Sequence, residues 1–222
     1  HDFNNLLQTI LGFGELAASA VPEDSPAASA LAQVQGAGRR AAELTRQMLA
    51  YAGRTRFVPR RCELAQVLRR AEPLLAASLR AGLRLELEIG EPAPVDADPA
   101  QLRQVLINLV ANAGEALTER DGRVVLRAGS QRCDRDYLAT CYPDDHLPAG
   151  EYAFFEVEDD GCGMNAITRA HLFDPFFSTK FTGRGLGLAA VLGVVRGHRG
   201  AVDVRSEPGR GTTIRVLLPA VT

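Results

Sequence analysis

Three runs of sequence decide the fold: Asp-Asp-Gly-Cys-Gly-Met at 159–164, Phe-Asp-Pro-Phe-Phe-Ser-Thr-Lys at 173–180 and Gly-Arg-Gly-Leu-Gly-Leu at 183–188. The first run follows a strand-like stretch at 152–157, and the last leads into a helix-like stretch at 186–195. Glycine has no Cβ, so it allows positive φ angles and a close approach of the backbone to a ligand. A glycine-rich loop that enters a helix also presents free N–H groups at the positive end of the helix dipole. The three runs therefore predict a site for an anionic ligand and leave that ligand unidentified.

The composition is that of an ordinary soluble globular protein. The chain has 222 residues, 46% of them apolar and 23% charged, which is enough for one or two domains with a sizeable core. A net charge of −2 gives no general attraction to nucleic acid or to an anionic membrane, so we expect neither as a partner. The one lysine of the chain, Lys180, lies in the second run, which suggests a function for it.

Nothing in the sequence indicates secretion or a membrane span. The four cysteines are widely spaced without a Cys-x-x-Cys pair, which indicates reduced thiols rather than a zinc site or disulfides. There is no apolar run of about 18 residues and no signal peptide, so we expect a cytoplasmic location. Because the chain begins at a histidine, we expect it to be part of a longer protein, and a membrane anchor elsewhere in that protein stays open.

The first 55 residues are predicted to form an α-helical hairpin. Residues 1–20 carry an apolar residue every three or four positions, residues 21–26 break the helix with two prolines, and a second apolar series runs from Leu31 to Ala52. The first apolar face consists of Phe3, Leu6, Leu7, Ile10, Phe13 and Ala17. The second series has the spacing of a heptad seam, as in helical bundles. Two helices alone bury little surface, so we expect a homodimer in which each chain supplies half of a four-helix bundle.

His1 lies on the opposite face of the first helix, beside Asp2 and one turn from Asn5. An exposed imidazole next to a carboxylate can act as a nucleophile, because the carboxylate orients the ring and accepts its proton. Most helical histidines, however, are surface or capping residues without chemistry. The pattern alone leaves both interpretations open.

Residues 56–222 are predicted to form an α+β two-layer sandwich, with helices on one face of a mixed sheet. The predicted helices cover 64–79, 99–117 and about 186–197, and the predicted strands cover 83–89, 123–131, 152–159, 201–205 and 212–218. Asp98 is the expected N-cap of the second of these helices. Residues 132–150 form an excursion between two strands, and about 161–185 form a mobile lid.

The predicted helix 99–117 has two distinct faces. Its core face consists of Leu102, Leu106, Leu109, Ala113 and Leu117, and its polar stripe consists of Gln104, Asn108, Asn112 and Glu115. Such a stripe is usually the solvated side of a helix. Asparagine is a mediocre helix former, however, and amide oxygens one turn apart can bind Mg²⁺.

Together these runs resemble the boxes of sensor histidine kinases of the hybrid type, within the GHKL ATPase/kinase superfamily. His-Asp-Phe-Asn-Asn-Leu-Leu at 1–7 is similar to the phosphoacceptor box and Asn-Leu-Val-Ala-Asn-Ala at 108–113 to the N box. The runs at 159–164, 173–180 and 183–188 resemble the first glycine box, the F box and the second glycine box, in that order. The final strands, from His198 to Ile214, are also similar, so the resemblance covers nearly the whole chain in family order.

The resemblance implies ATP and Mg²⁺ as cofactors and a role for each matching residue. His1 would accept the phosphoryl group, Asp2 would assist removal of its proton, and Asn5 would orient water for dephosphorylation of the partner. Asp159 would accept a hydrogen bond from the adenine amino group, and Asn112 would coordinate the metal. The other implied nucleotide-binding residues are Asn108, Glu115, Gly161, Gly163, Met164, Phe176, Lys180, Gly183, Gly185, Leu186, Gly187, Leu188 and Thr212. Phe173, Phe176 and Phe177 would anchor the lid, although three phenylalanines also suit an ordinary core.

The expected function is that of a bacterial ATP-dependent histidine autokinase, which passes its phosphoryl group to a response-regulator aspartate in cis or on another chain. Two departures from the family pattern are Arg184, where many members carry threonine, and the excursion at 132–150, which resembles an acidic insertion of hybrid-type kinases. One alternative is an ATP-hydrolysing enzyme of the same fold. Those enzymes carry a glutamate base where this chain has Asn108, and an amide cannot deprotonate water. The other alternative is a non-catalytic nucleotide-binding module.

Overall fold

The computed structural model describes residues 2–51, 58–117, 122–143, 145–179 and 185–221. The chain divides into two compact units, His1–Leu49 and Ala50–Thr222. The domain boundary predicted at 55/56 lies outside the described residues and stays a prediction.

The first unit is a pair of antiparallel helices. Helix α1 covers Asp2–Ser19 and helix α2 begins at Pro26 and ends at Tyr51. The helices pack closely at Gly38, where a Cβ would lie 2.9 Å from Cδ2 of Leu11. Leu7 is buried between the helices, whereas other large apolar residues of α1 are exposed. The predicted helical hairpin is therefore present, with much of its apolar surface uncovered in a single chain.

The second unit is built on a mixed five-stranded sheet of order β2-β4-β5-β7-β6. The strands are β2 (Arg84–Ile89), β4 (Arg123–Cys133), β5 (Gly150–Asp159), β6 (Ala201–Ser206) and β7 (Thr212–Pro219). Strand β2 runs parallel to β4, and every other neighbouring pair is antiparallel. Two short strands that the sequence did not predict, β1 (Arg60–Cys62) and β3 (Val95–Ala97), form a separate antiparallel pair.

Three helices cover one face of this sheet, which confirms the predicted α+β arrangement. They are α3 (Leu64–Ser78), α4 (Pro99–Ala116) and α7 (Gly187–Gly197), while α5 (Arg135–Leu138) and α6 (Ala166–Ala170) are short. Inward side chains such as Leu106 and Val191 are completely buried against Phe155 and Val216 of the sheet. Burial of each such side chain contributes about 1.5–3 kcal/mol.

The opposite face of the sheet carries a charged network. Glu156 of β5 is 5% exposed and lies between Arg215 of β7, at 2.7 Å, and Arg127 of β4, at 3.4 Å. Arg127 also contacts Glu88 of β2 and Glu158 of β5. Because the charges alternate across neighbouring strands, this face can be polar without leaving a buried charge unpaired.

Candidate nucleotide-binding site

Asp159 is a carboxylate in a nearly buried position at the last residue of β5. It is 7% exposed, and its Oδ1 accepts a hydrogen bond from the N–H of Gly161 at 2.9 Å. The strand register places it between Val124 of β4 and Thr212 of β7. A buried carboxylate at a strand end is costly unless it has hydrogen-bonding partners, so this position is consistent with a ligand-reading role.

Two hydroxyl groups lie beside this carboxylate. Ser206 Oγ accepts from the N–H of Met164 at 2.8 Å, donates to the carbonyl of Gly211 at 3.1 Å and lies 2.9 Å from Thr212 Oγ1. Since a hydroxyl has one proton, Thr212 is the donor in the last contact. Oγ1 of Thr212 therefore offers lone pairs, which can hold a water molecule. Ser206 was not predicted as a site residue, and its signal is its cross-strand pairing with Thr212.

The first glycine run has no room for a side chain. Gly163 has φ +63°, and a Cβ there would lie 1.9 Å from the carbonyl oxygen of Glu207. At Gly161 a Cβ would lie 2.7 Å from the carbonyl oxygen of Ala116, the last residue of α4. The loop is consequently held against the end of α4 and against the β6–β7 turn at once.

The polar stripe of α4 faces the start of α7. Asn108 Nδ2 donates to the carbonyl of Gly187 at 3.2 Å, and its Oδ1 accepts from Gln104 at 3.3 Å. Asn112 is half-buried one turn further on, and a Cβ on Gly187 would be 3.9 Å from its Nδ2. Glu115 is exposed. The core face predicted for this helix is buried throughout, as expected.

The lid segment is described in part. Phe173 is buried in the core, whereas Phe176 is 63% exposed and has φ +68°. The N–H of Phe176 donates to the carbonyl of Gly185 at 2.9 Å, which joins the described parts of the predicted lid on either side of residues 180–184. Of the remaining predicted residues, Leu186 is buried and Leu188 half-buried, and Lys180, Gly183 and Arg184 lie outside the described residues.

The predicted phosphoacceptor residues belong to the first unit. His1 lies outside the described residues, as do the side chains of Asp2 and Asn5, although the backbone of both is helical in α1. Within the described part of the chain, no helix combines the length and apolar character that a membrane span requires.

A family model described as "Histidine kinase-, DNA gyrase B-, and HSP90-like ATPase" matches residues 97–222, which contain α4, the sequence runs at 159–164 and 183–188, and strands β6 and β7. The chain belongs to this ATPase family. Its relatives in this family include sensor kinases. It is 36% identical over 222 residues to the sensor kinase CckA of Brucella abortus (strain 2308), a match that covers 99% of this chain and 23% of CckA. It is 40% identical over 150 residues to the sensory histidine kinase/phosphatase NtrB of Rhizobium meliloti (strain 1021), covering 65% of this chain and 38% of NtrB.

The solved structures agree. Full-length ShkA in complex with AMPPNP matches all of this chain with a TM-score of 0.78 and 25% identity, over 44% of the ShkA chain. The resemblance of this ATPase-family chain to sensor histidine kinases is thus confirmed. The chain spans less than half the length of each of these relatives.

Proposed function

We propose that this chain is the catalytic core of a bacterial two-component histidine kinase, in which ATP phosphorylates His1 and the phosphoryl group then passes to a receiver-domain aspartate. One observation carries the proposal: helix α4 contacts both the loop that follows the buried carboxylate of Asp159 and the start of α7. Ala116 of α4 accepts the N–H of Cys162 in the first glycine run, and Asn108 contacts Gly187. Ala116 lies eight positions after Asn108, a rise of about 12 Å along the helix, which is on the scale of a nucleoside triphosphate.

The carboxylate end suits adenine. Asp159 can accept a hydrogen bond from the adenine amino group, whereas guanine would present a carbonyl oxygen there and be repelled. The lone pairs of Thr212 can hold a water molecule against the same base. AMPPNP in the ShkA complex is an analogue of ATP, which supports the same ligand for this chain.

The other end suits phosphate and Mg²⁺. Helix α7 begins at Gly187, so its first N–H groups can bind phosphate oxygens. The donor chemistry of the stripe also fits Mg²⁺, since Asn112 offers a hard amide oxygen and has no hydrogen-bond partner among the described residues. Both polar ends of the Asn108 amide are occupied by protein groups, so we assign the metal contact to Asn112. Mg²⁺ would neutralise charge on the phosphates, and Lys180 and Gly183 would add contacts from the closing lid.

The transfer step depends on positioning and charge neutralisation. A ring nitrogen of His1 attacks the γ-phosphorus in line, the bond to the β,γ-bridging oxygen breaks, and ADP leaves. Asp2 takes up the proton of the imidazole. Asn5 would orient the water molecule that hydrolyses the phosphoaspartate of the receiver domain, with release of inorganic phosphate. Fast hydrolysis of ATP by this site is disfavoured, because Asn108 stands where a base would have to act and an amide cannot accept a proton from water.

A homodimer completes the proposal. Leu6, Ile10, Phe13 and Leu16 of α1 are between 48% and 68% exposed in the single chain. Burying them against a second copy in a four-helix bundle would remove a contiguous apolar surface from water. A mass measurement in solution tests this step, and a monomer at micromolar concentration would contradict it.

Two substitutions test the kinase assignment. His1→Gln should abolish incorporation of ³²P from labelled ATP while nucleotide binding stays unchanged.

Asp159→Asn should weaken ATP binding at least about tenfold, because an amide N–H₂ then opposes the adenine amino group. Asp160→Asn is the matched control, since Asp160 is exposed and accepts from the N–H of Arg123. Labelling of the His1→Gln protein would contradict the assignment of His1 as the phosphoryl acceptor. Steady ATP turnover by the parent without formation of phosphoprotein would favour an ATPase. Failure of the parent to bind ATP with Mg²⁺ would favour a non-catalytic module.

A further inference from the structure

The excursion predicted at 132–150 covers residues 134–149, between the end of β4 and the start of β5. It packs against the sheet face that α3, α4 and α7 leave uncovered. Its Leu138 and Cys141 are buried in a second, smaller core. The other buried members of that core are Cys133, Tyr152, Ala201 and Leu217. The sequence predicted an excursion here without a role, and this packing gives it a fixed position under the sheet.

From that core the excursion continues around the edge strand β6. The N–H of Tyr142 donates to the carbonyl of Val202 at 2.9 Å, and the N–H of Val202 donates back to Tyr142 at 2.6 Å. Tyr137 adds a hydrogen bond from its hydroxyl to Asp203 of the same strand at 3.1 Å. These contacts pair the open edge of the sheet and bring the excursion to the face where the nucleotide site lies.

On that face the excursion contacts the predicted lid segment and the C-terminal end of α7. The ring of Tyr142 packs against the ring of Phe173, with centroids 4.9 Å apart and planes inclined by 57°. Asp145 forms two hydrogen bonds of 2.7 and 2.8 Å with the guanidinium of Arg196, in the last turn of α7. Phe173 is buried at the base of the predicted lid, and α7 would bind phosphate at its other end, so the excursion contacts both elements.

We propose that Tyr142 is a positioning residue of the nucleotide site, whose ring fixes Phe173 and thereby holds the base of the lid in the arrangement that binds ATP. The inference rests on the proposed function for its substrate. We assign Tyr142 no direct contact with the base or the phosphates. It acts only through Phe173, while the Asp145–Arg196 pair fixes the position of the excursion relative to α7.

The expected size of the effect follows from population arithmetic. When the binding-competent arrangement holds only a fraction of the molecules, the apparent dissociation constant rises by the inverse of that fraction. The packing of one aromatic pair is worth a factor of about three to ten in such an equilibrium. Loss of the Tyr142 ring should therefore weaken ATP binding by about three- to tenfold, with kcat at saturating ATP nearly unchanged.

The experiment compares three variants of the full chain. Tyr142→Ala removes the ring but keeps the backbone pairing with Val202, and Tyr142→Phe retains the ring as the conservative rescue. Tyr137→Phe is the matched control, because it removes a hydroxyl contact of the same excursion that does not reach the lid. The readouts are the dissociation constant of a non-hydrolysable ATP analogue, the KM and kcat of autophosphorylation, and hydrogen exchange of residues 171–177 without nucleotide.

We expect Tyr142→Ala to show weaker analogue binding, a raised KM with kcat preserved, and faster exchange in residues 171–177, with Tyr142→Phe and Tyr137→Phe close to the parent. Unchanged exchange and affinity in Tyr142→Ala would overturn the inference. So would a fall in kcat at constant KM, which reports only a smaller folded fraction. If Tyr142→Ala fails to fold, Tyr142→Leu replaces it, and the same outcomes apply. A parent protein that binds no ATP analogue would refute the proposed function, whereas the exchange comparison would still decide whether Tyr142 holds the lid.

Discussion

At the scale of single residues, Gly163 has very little tolerance for change. Gly163→Ala would place a Cβ 1.9 Å from the carbonyl oxygen of Glu207 and would also force alanine to φ +63°. The backbone of the first glycine run must then move, and with it Asp159. We expect ATP affinity to fall more than about tenfold and the unfolding free energy to fall by more than the roughly 1–2 kcal/mol that positive φ alone costs. Calorimetric titration and urea unfolding measure the two effects.

Gly209→Ala is the matched control for that substitution. Gly209 has φ +75° in the β6–β7 turn against which the first glycine run packs, but a Cβ there has nothing within 4 Å. The Gly209→Ala variant should therefore show the backbone strain of a positive φ angle without displacement of the first glycine run. We expect a modest loss of stability and normal ATP affinity. Equal affinities for both variants would contradict a tight fit at Gly163.

His198 makes stability depend on pH. It is 6% exposed, its Nε2 accepts the N–H of Asp98 at 3.0 Å, and its Nδ1 lies 2.8 Å from the carbonyl of Val194, so the neutral ring carries its proton on Nδ1. Burial lowers the pKa of His198 below its usual 6.5, against weaker opposing effects of the Val194 carbonyl and the Asp98 carboxylate. The unfolded chain then binds more protons than the folded one at acid pH.

The stability contributed by His198 is consequently complete above pH 6.5 and is lost as the pH falls below 6.5 and through the lowered folded pKa. Urea unfolding between pH 7.5 and 5 should show this decline in the parent and a shallower one in His198→Gln. That substitution should cost about 1–3 kcal/mol at neutral pH, because it leaves the N–H of Asp98 poorly paired. His171→Gln is the control, since His171 is exposed; an identical pH slope for the parent and His198→Gln would refute the role.

Residue identities at the site could be anticipated where local pattern determines position. Asp159 ends an alternating strand, and Asn108 and Asn112 share one side of an amphipathic helix, so sequence places them with their neighbours. Ser206 could not be found in this way. Its contacts with Met164 and Thr212 arise from the antiparallel pairing of β6 and β7, and no local pattern encodes which residue will stand opposite Thr212.

At the scale of elements, the start of α4 depends on its cap. Asp98 Oδ1 accepts from the N–H of Ala100 at 2.9 Å and of Gln101 at 3.4 Å, as the sequence predicted. Asp98→Ala should lower the free energy of unfolding by about 1 kcal/mol, within a range of 0.5–2. Because α4 carries Asn108 and Asn112, we expect a small loss of ATP affinity as well. Thermal and urea unfolding measure the stability effect.

Asp96→Ala is the control for the cap, because it removes the same charge two residues away from an exposed position on β3. Asp98→Asn keeps an acceptor oxygen and should lose only a few tenths of a kcal/mol. A loss of stability in Asp96→Ala as large as in Asp98→Ala would mean that charge, rather than capping, stabilises this end of α4.

Elements were predictable in proportion to their length. Helix α4 and strands β4 and β5 contain enough residues for their apolar periodicity to be unambiguous, and their observed ends differ from the predicted ones by at most two residues. Strands β1 and β3 have three residues each, which is too few to establish an alternation of apolar and polar residues. The excursion was recognised only as a break, because its second core is assembled from β4, β5, β6 and β7 residues that lie far apart in sequence.

At the scale of the whole molecule, the two units differ in how they complete a core. The second unit buries its own apolar residues between the sheet and α3, α4 and α7. Among the described side chains of the first unit, Leu6, Phe13 and Leu16 are more than half exposed, so α1 leaves much of its apolar surface uncovered. Periodicity predicted both helices of the first unit, but the surface that covers them belongs to another chain in our proposal and cannot be read from one sequence.

This difference predicts that residues 58–222 fold alone. Among the described residues, the five strands of their main sheet pair with one another, and every member of their core cluster belongs to residues 58–222. A protein of these residues should unfold in one cooperative transition and bind an ATP analogue with Mg²⁺ within about threefold of the full chain, a difference below 1 kcal/mol. It should not be phosphorylated, because it lacks His1. Calorimetry, titration and ³²P labelling with the full chain as the control measure these outcomes, and a non-cooperative transition or an affinity lower by more than tenfold would show that the first unit helps to form the nucleotide site.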